Sequence, residues 1–137
     1  MIVDAHFHCW QLARGDYGWL TPALAPIYRD VSIDDWQAEA ARCGITAGVL
    51  VQAAPTQAET AFLLDQAEHH DAVLGVVGWA DLQAADAPQH IARLAARPKF
   101  KALRPMLHDL PDPAWMLQPA LGPALRSMVE SGLAFDA

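Results

Sequence analysis

Met1-Ile2-Val3-Asp4-Ala5-His6-Phe7-His8-Cys9-Trp10 opens the chain. Ile2, Val3 and Phe7 favour extended backbone, and neither glycine nor proline interrupts the run. On a β-strand, side chains two apart share a face. The spacing therefore predicts Asp4, His6 and His8 side by side on one face of an otherwise apolar strand. Burying three polar groups in a row costs free energy unless each finds a hydrogen bond or a metal ion. Two neutral imidazoles two residues apart can both reach one cation of the zinc type. Backbone groups could equally satisfy them, so the strand by itself leaves a site and a structural pair both open.

Outward from this strand the chain alternates. A long connection, about residues 11 to 31, carries Trp19, Pro22, Pro26 and Tyr28. A segment of that length marks either a cover over a site or a packed surface excursion. Ser32 and Asp35 have capping-box spacing for a helix that places Ile33, Trp36 and Ala40 on one stripe and stops before Gly44. Val49-Leu50-Val51 centre a second strand, about 47 to 53. Thr56 and Glu59 form a T-x-x-E capping box for the next helix, which buries Phe62, Leu63 and Ala67 and ends in surface residues His69 and His70. A third strand spans about 73 to 80. Asp86 caps a third helix that turns Ile91, Leu94 and Ala95 inward. A short fourth strand, about 100 to 104, meets a loop broken by Pro105, Pro111 and Pro113. A short helical piece near Trp115, a helix over about 121 to 130, and a fifth strand opening at Leu133-Ala134-Phe135 complete the pattern.

This β-α alternation argues for a parallel sheet covered by helices. An open doubly wound sheet and part of a (β/α)8 barrel both fit. No glycine-rich turn follows the first strand, which disfavours a dinucleotide-binding sheet. Polar residues gather instead at strand C-terminal ends: His6 and His8, Gln52, Trp79 with Asp81, and Arg104. Barrels build active sites on that face. A whole barrel needs about 250 residues, and this chain has 137. The expected fold is α/β: the N-terminal half of a (β/α)8 TIM-type barrel, about four βα units plus the start of a fifth strand. Residues 1–137 would form one partial domain, truncated at its C-terminus. A small complete α/β sandwich is the competing architecture.

Composition narrows the function classes. The formal net charge of −7 argues against a nucleic-acid partner, because phosphate binding needs a basic surface. No apolar run approaches the roughly 20 residues that span a bilayer, and no basic amphipathic stretch or secretory leader is present. Cys9 and Cys43 have neither C-x-x-C nor framework spacing, and read as two reduced thiols of a cytoplasmic protein.

The segments Asp4-Ala5-His6-Phe7-His8-Cys9-Trp10, Val49-Leu50-Val51-Gln52-Ala53, Gly75-Val76-Val77-Gly78-Trp79-Ala80-Asp81-Leu82, Phe100-Lys101-Ala102-Leu103-Arg104, Asp112-Pro113-Ala114-Trp115 and Gly132-Leu133-Ala134-Phe135-Asp136 follow one another in an informative order. Together they resemble the amidohydrolase superfamily, specifically the amidohydrolase-related (amidohydrolase 2) branch. That branch holds L-fuconolactonase, L-rhamnonolactonase and 2-pyrone-4,6-dicarboxylate lactonase. The resemblance implies a barrel hydrolase in which His6 and His8 are catalytic, as metal ligands or direct substrate contacts. It implies one divalent ion, zinc or manganese, or none, since members of the branch differ on this point. The family's later histidine and its last-strand aspartate, the expected general base, have no counterpart within residues 1–137. Asp136 does not match that aspartate. Ala102-Leu103 stands where relatives often place a glycine before the arginine.

Lactone hydrolysis needs an activated water, a stabilised carbonyl oxygen and a proton for the leaving alkoxide. His6 and His8 suit the second task, directly or through a metal. Arg104 suits a substrate carboxylate, a hydroxyl cluster or the developing oxyanion, or else a structural ion pair. Gln52 can position a sugar hydroxyl, and Trp79 can stack on a ring or fill the barrel mouth. Asp81 reads as a loop cap, Trp19 and Tyr28 as a cover, and His108 as a solvent-exposed loop residue. The expected activity is opening of a sugar-derived or carboxylated lactone to its hydroxy acid, within carbohydrate metabolism. A metal-dependent decarboxylase of the same superfamily is the alternative. Another is a catalytically inactive fragment or half-barrel subunit that needs a homo-oligomer or a missing C-terminal half.

Overall fold

Five strands form one sheet in the order of the chain: β1 (Val3–Phe7), β2 (Ala47–Val51), β3 (Val73–Gly78), β4 (Phe100–Leu103) and β5 (Ala134–Phe135). Every neighbouring pair is parallel. The helices α1 (Ile33–Arg42), α2 (Gln57–Glu68), α3 (Ala87–Ala95) and α4 (Gly122–Glu130) occupy the crossovers. This computed structural model describes residues 1–137. Right-handed crossovers that always step in one direction leave all helices on one side of the sheet. A doubly wound sheet would reverse direction once. The sequential order is that of a barrel wall, and the five strands make half of a (β/α)8 barrel.

The two faces confirm this. One core joins strand residues Phe7, Leu50, Val76 and Leu103 to helix residues Ile33, Leu63, Ile91 and Met128. A separate cluster of Val51, Val77 and Ala102, with Val49 against it, contains no helix residue. The first face is the outer layer of the barrel and the second is its lumen.

Register corrects one expectation about the opening strand. Asp4 pairs with Gly48 and Phe7 with Leu50, so β1 spends one residue more than β2 between the two pairs. An extra residue of this kind is a bulge, and it reverses the faces on either side of it. Asp4 therefore does not share a face with His6 and His8. It turns to the helical side, where the Trp36 Nε1–H donates to its Oδ2 at 2.9 Å. Trp36 stacks flat on Phe7, with ring centroids 3.9 Å apart. Gly48 makes room for this stack: a Cβ there would lie 2.5 Å from Trp36 and 2.9 Å from Phe7.

The two predicted capping boxes also separate. Ser32 and Asp35 close the full reciprocal pair at the start of α1. At α2, the Glu59 N–H donates to Thr56 Oγ1, but the Glu59 carboxylate turns elsewhere. Asp86 precedes α3 without a side-chain cap bond. Its backbone is not in the extended conformation that N-cap bonding uses. No helix is long and apolar enough to cross a membrane.

Candidate active site

β1 ends at Phe7, and its continuation carries His8 over the lumen. The His8 ring Nδ1 lies 2.8 Å from the Val51 carbonyl oxygen on β2. A carbonyl only accepts, so Nδ1 carries the proton and Nε2 keeps a lone pair. That lone pair faces His6 Nε2 at 3.1 Å. Burial holds the His8 imidazole below its ordinary value, against the opposite pull of its bond to Val51. The charges of His6 and Arg104 push in the same direction as burial. His8 is therefore a neutral, oriented imidazole. Asp4 steadies the other partner from behind, because its Oδ1 accepts the His6 backbone N–H at 3.1 Å.

Two imidazole nitrogens on a tetrahedral zinc, each at about 2.05 Å, sit roughly 3.3 Å apart. The observed 3.1 Å is close to that span, and the Val51 bond is the outer support a ligating histidine normally has. The pair fits a divalent ion as half of a ligand set. No group of three or more His, Cys, Asp or Glu side chains forms a complete set within residues 1–137.

Beside His8 lies an open cavity of about 500 Å³. Trp10, Trp19, Ile27, Ala53 and Met106 supply its apolar wall, and Gln52, Arg104, His108 and Asp109 its polar groups. Trp10 and Trp19 meet edge to face, with centroids 5.5 Å apart. Both indoles are tied down: Trp10 Nε1–H donates to the Arg29 carbonyl at 2.8 Å and Trp19 Nε1–H to the Ala53 carbonyl at 2.7 Å. An antiparallel bridge between Trp10 and Val31 closes the base of the connection that carries Trp19.

The structure thus brings His8, Gln52 and Arg104 to one cavity, with His6 touching His8 at its edge. Gln52 is wholly buried, and its Nε2–H donates to the Arg104 carbonyl at 3.1 Å, across the end of β3. Gln52 Oε1 is buried without a partner. That oxygen is therefore available to accept from a group that enters the cavity. Trp79 is half-buried and does not line the cavity; its backbone N–H and carbonyl both bond the Thr60 hydroxyl. Asp81 Oδ1 caps its own loop by accepting the Gln83 N–H. Tyr28 also lies off the cavity, while Ile27 lines it. His108 is exposed yet reaches the cavity rim, with Nε2 3.4 Å from Asp109 Oδ1. Met106, which leads into that turn, has φ +54°, a left-handed conformation strained for its side chain. The Cys9 thiol is buried and pushed up to about 12, which excludes it as a nucleophile near neutral pH.

One group was not legible as part of the site. Glu59 is wholly buried, and its carboxylate accepts the Ala53 N–H (2.9 and 3.2 Å) and the Ala54 N–H (2.8 Å). Those amides form the turn after β2 that carries Gln52 and Ala53 into the cavity wall. Burial raises the Glu59 carboxyl to about 7, although both amide bonds hold it down.

Comparison with known proteins places this geometry. Residues 3–137 match the sequence model of the amidohydrolase family. The chain is 47% identical over 135 residues to an L-fucono-1,5-lactonase of Burkholderia ambifaria, covering 98% of this chain and 47% of that protein. It is 34% identical over 112 residues to an L-fucono-1,5-lactonase of Burkholderia multivorans, covering 82% and 36%. The chain thus spans less than half the length of these relatives. A crystal structure of a Burkholderia multivorans amidohydrolase with bound zinc superposes with a TM-score of 0.91 at 26% identity, over 100% of this chain and 48% of that one. A probable 2-pyrone-4,6-dicarboxylic acid hydrolase of Acinetobacter baumannii gives 0.74 at 19% identity, over 98% and 48%, and supports the fold alone.

Proposed function

Because the chain belongs to the amidohydrolase family, we propose that it carries the N-terminal half of a lactonase that opens a sugar-derived lactone to the hydroxy acid. The observation that carries this reading is the convergence of His8, Gln52 and Arg104 on one aromatic-walled cavity at the strand ends. The 47% identity to an L-fucono-1,5-lactonase supports the substrate class.

With His8 Nε2 an acceptor, His6 Nε2–H donates to it in the free chain, and the same N–H would turn to the lactone carbonyl oxygen as that oxygen gains charge. These same two nitrogens would hold a divalent ion, which when bound supplies a Lewis acid for that oxygen. Arg104 is a permanent planar cation and binds ligand hydroxyls or the carboxylate that forms on ring opening. Gln52 Oε1 accepts a ligand hydroxyl, which would resolve its unpaired state. The Trp10–Trp19 corner covers the apolar face of the ring and displaces water. The base that activates water comes from outside residues 1–137. A cytoplasmic location fits the free Cys9 and Cys43.

A half-barrel subunit that works only with its complement is the second reading. The open edge of the sheet favours it: Val3 on β1, and Met1 and Ile2 just before it, are exposed. Acid release from L-fucono-1,5-lactone separates the readings. The chain is assayed alone and after co-expression with a C-terminal half of a relative, each against its Arg104→Ala variant. Hydrolysis above the spontaneous rate that R104A lowers at least tenfold supports the lactonase. Activity only on co-expression supports the half-barrel subunit. No acid in either preparation, or carbon dioxide from an aromatic acid instead, refutes the lactonase.

A further inference from the structure

Glu59 takes no part in the chemistry above, yet it is the one wholly buried carboxylate in the chain. It lies in the first turn of α2, under the turn that ends β2. Its two oxygens divide two backbone donors between them, Ala53 N–H mainly at Oε1 and Ala54 N–H at Oε2. The Ala53 peptide is thereby held from both ends, because its carbonyl takes the Trp19 indole N–H at 2.7 Å. Trp19 stands against Trp10 in the cavity wall.

We propose that Glu59 is a positioning residue for the cavity: its carboxylate fixes the Ala53–Ala54 turn and, through the Ala53 carbonyl, the seat of Trp19, so that its proton sets the position of that wall. The reason is the strength of the two bonds. The ionised carboxylate accepts both amides as charge-assisted bonds. A proton on the carboxyl, on the lone pair turned toward Tyr17, removes that charge and leaves both amides with weaker neutral acceptors, so the turn loosens. Ala53 is in that turn, and Trp19 hangs from it.

The groups that face Glu59 come from β1 and the connection after it. Cys9, two residues past the end of β1, is held near 12 by burial. Tyr17 is pushed up from its ordinary value by burial. Asp16 is paired with Arg14 at 2.6 Å. Cys9 and Tyr17 therefore stay protonated through the neutral range, where Glu59, at about 7, changes state.

The test follows carboxyl carbons and indole N–H resonances of the labelled chain by NMR from pH 5 to 9. The expected result is a Glu59 titration centred near 7, with the Trp19 indole moving at the same midpoint. Trp36, bonded to Asp4, and Trp115, bonded to Gln83, serve as controls that hold still. Glu59→Gln should abolish the Trp19 step, and His8→Gln should keep it. A Glu59 titration in the ordinary carboxylate range, a Trp19 resonance that does not follow it, or loss of the step in H8Q overturns the proposal. The wild-type titration decides the matter if E59Q does not fold. No substrate enters the experiment, so this proposal and the lactonase reading fail separately.

Discussion

Replacing Glu59 with glutamine should change the way stability depends on pH, and the sign is unusual for a helix-start carboxylate. In the fold Glu59 titrates at about 7, against an ordinary value of 4.5. For an acid whose folded value is raised, the native state holds the proton more tightly than the unfolded chain. Its contribution is fully present below 4.5 and is lost as pH rises from 4.5 through 7. The linkage amounts to about 3 kcal/mol, since each pH unit of difference is worth about 1.4 kcal/mol. An exposed N-terminal carboxylate would behave in the opposite sense, gaining stability from ionisation. E59Q is isosteric and does not titrate. Urea unfolding of both chains at intervals between pH 4 and 8.5 should show E59Q gaining on the wild type by about 3 kcal/mol over that range. Part of that gain is offset because one amide N–H then faces the glutamine NH₂, at a roughly constant cost of 1–3 kcal/mol. The pH-dependent part is therefore the diagnostic. If the difference is flat, or if the wild type gains on E59Q as pH rises, Glu59 is an ordinary cap and the reasoning from its burial is wrong.

Two further outcomes bear on the start of the chain. Gly48→Ala should destabilise by about 1–3 kcal/mol in urea unfolding, because the new methyl overlaps Trp36 and Phe7, which are stacked and cannot both retreat; an unchanged midpoint would mean that the stack is loose. Zinc should bind the chain weakly in calorimetry, with His6→Ala or His8→Ala lowering affinity more than about tenfold and binding weakening at acid pH as the imidazoles protonate; equal affinity in either variant would remove the pair as ligands.

Much of the fold was legible in the chain because its signals are local. Apolar runs such as Val49-Leu50-Val51, separated by helix stripes such as Phe62-Leu63 with Ala67, specify strands and helices within a few residues of themselves. The Ser32-x-x-Asp35 box is equally local, and it forms as the spacing implies. What failed to show depends on partners far away in sequence. The strict alternation placing Asp4 with His6 and His8 breaks at a bulge, and the bulge is visible only against the register of β2. Thr56-x-x-Glu59 has a stronger capping signature than Ser32-x-x-Asp35, yet its carboxylate leaves the helix end because the unpaired amides of Ala53 and Ala54 are buried within its reach. Trp79 sits at a strand end like Gln52 and Arg104. Position along a strand gives its height in the barrel, but its environment depends on α2, where Thr60 takes its backbone.

The site residues that do converge are held by bonds between strands, and those bonds all lie within the first four. His8 is anchored to β2 through Val51, the Gln52 N–H bonds the Val77 carbonyl of β3, and the Arg104 N–H bonds the Gly78 carbonyl. Gln52 then crosses from the end of β2 to the Arg104 carbonyl. Each link fixes a polar group against the neighbouring strand, so their relative placement does not wait for the barrel to close. Pre-positioned groups are what a transition state rewards, because nothing has to be reoriented when charge develops. On the reading proposed above, the first half of the barrel would hold its share of the binding site through these bonds, and a complementary half would supply the water-activating base and the remaining wall. Gln52 Oε1, which accepts from no protein group, faces the same cavity and is open to a donor there.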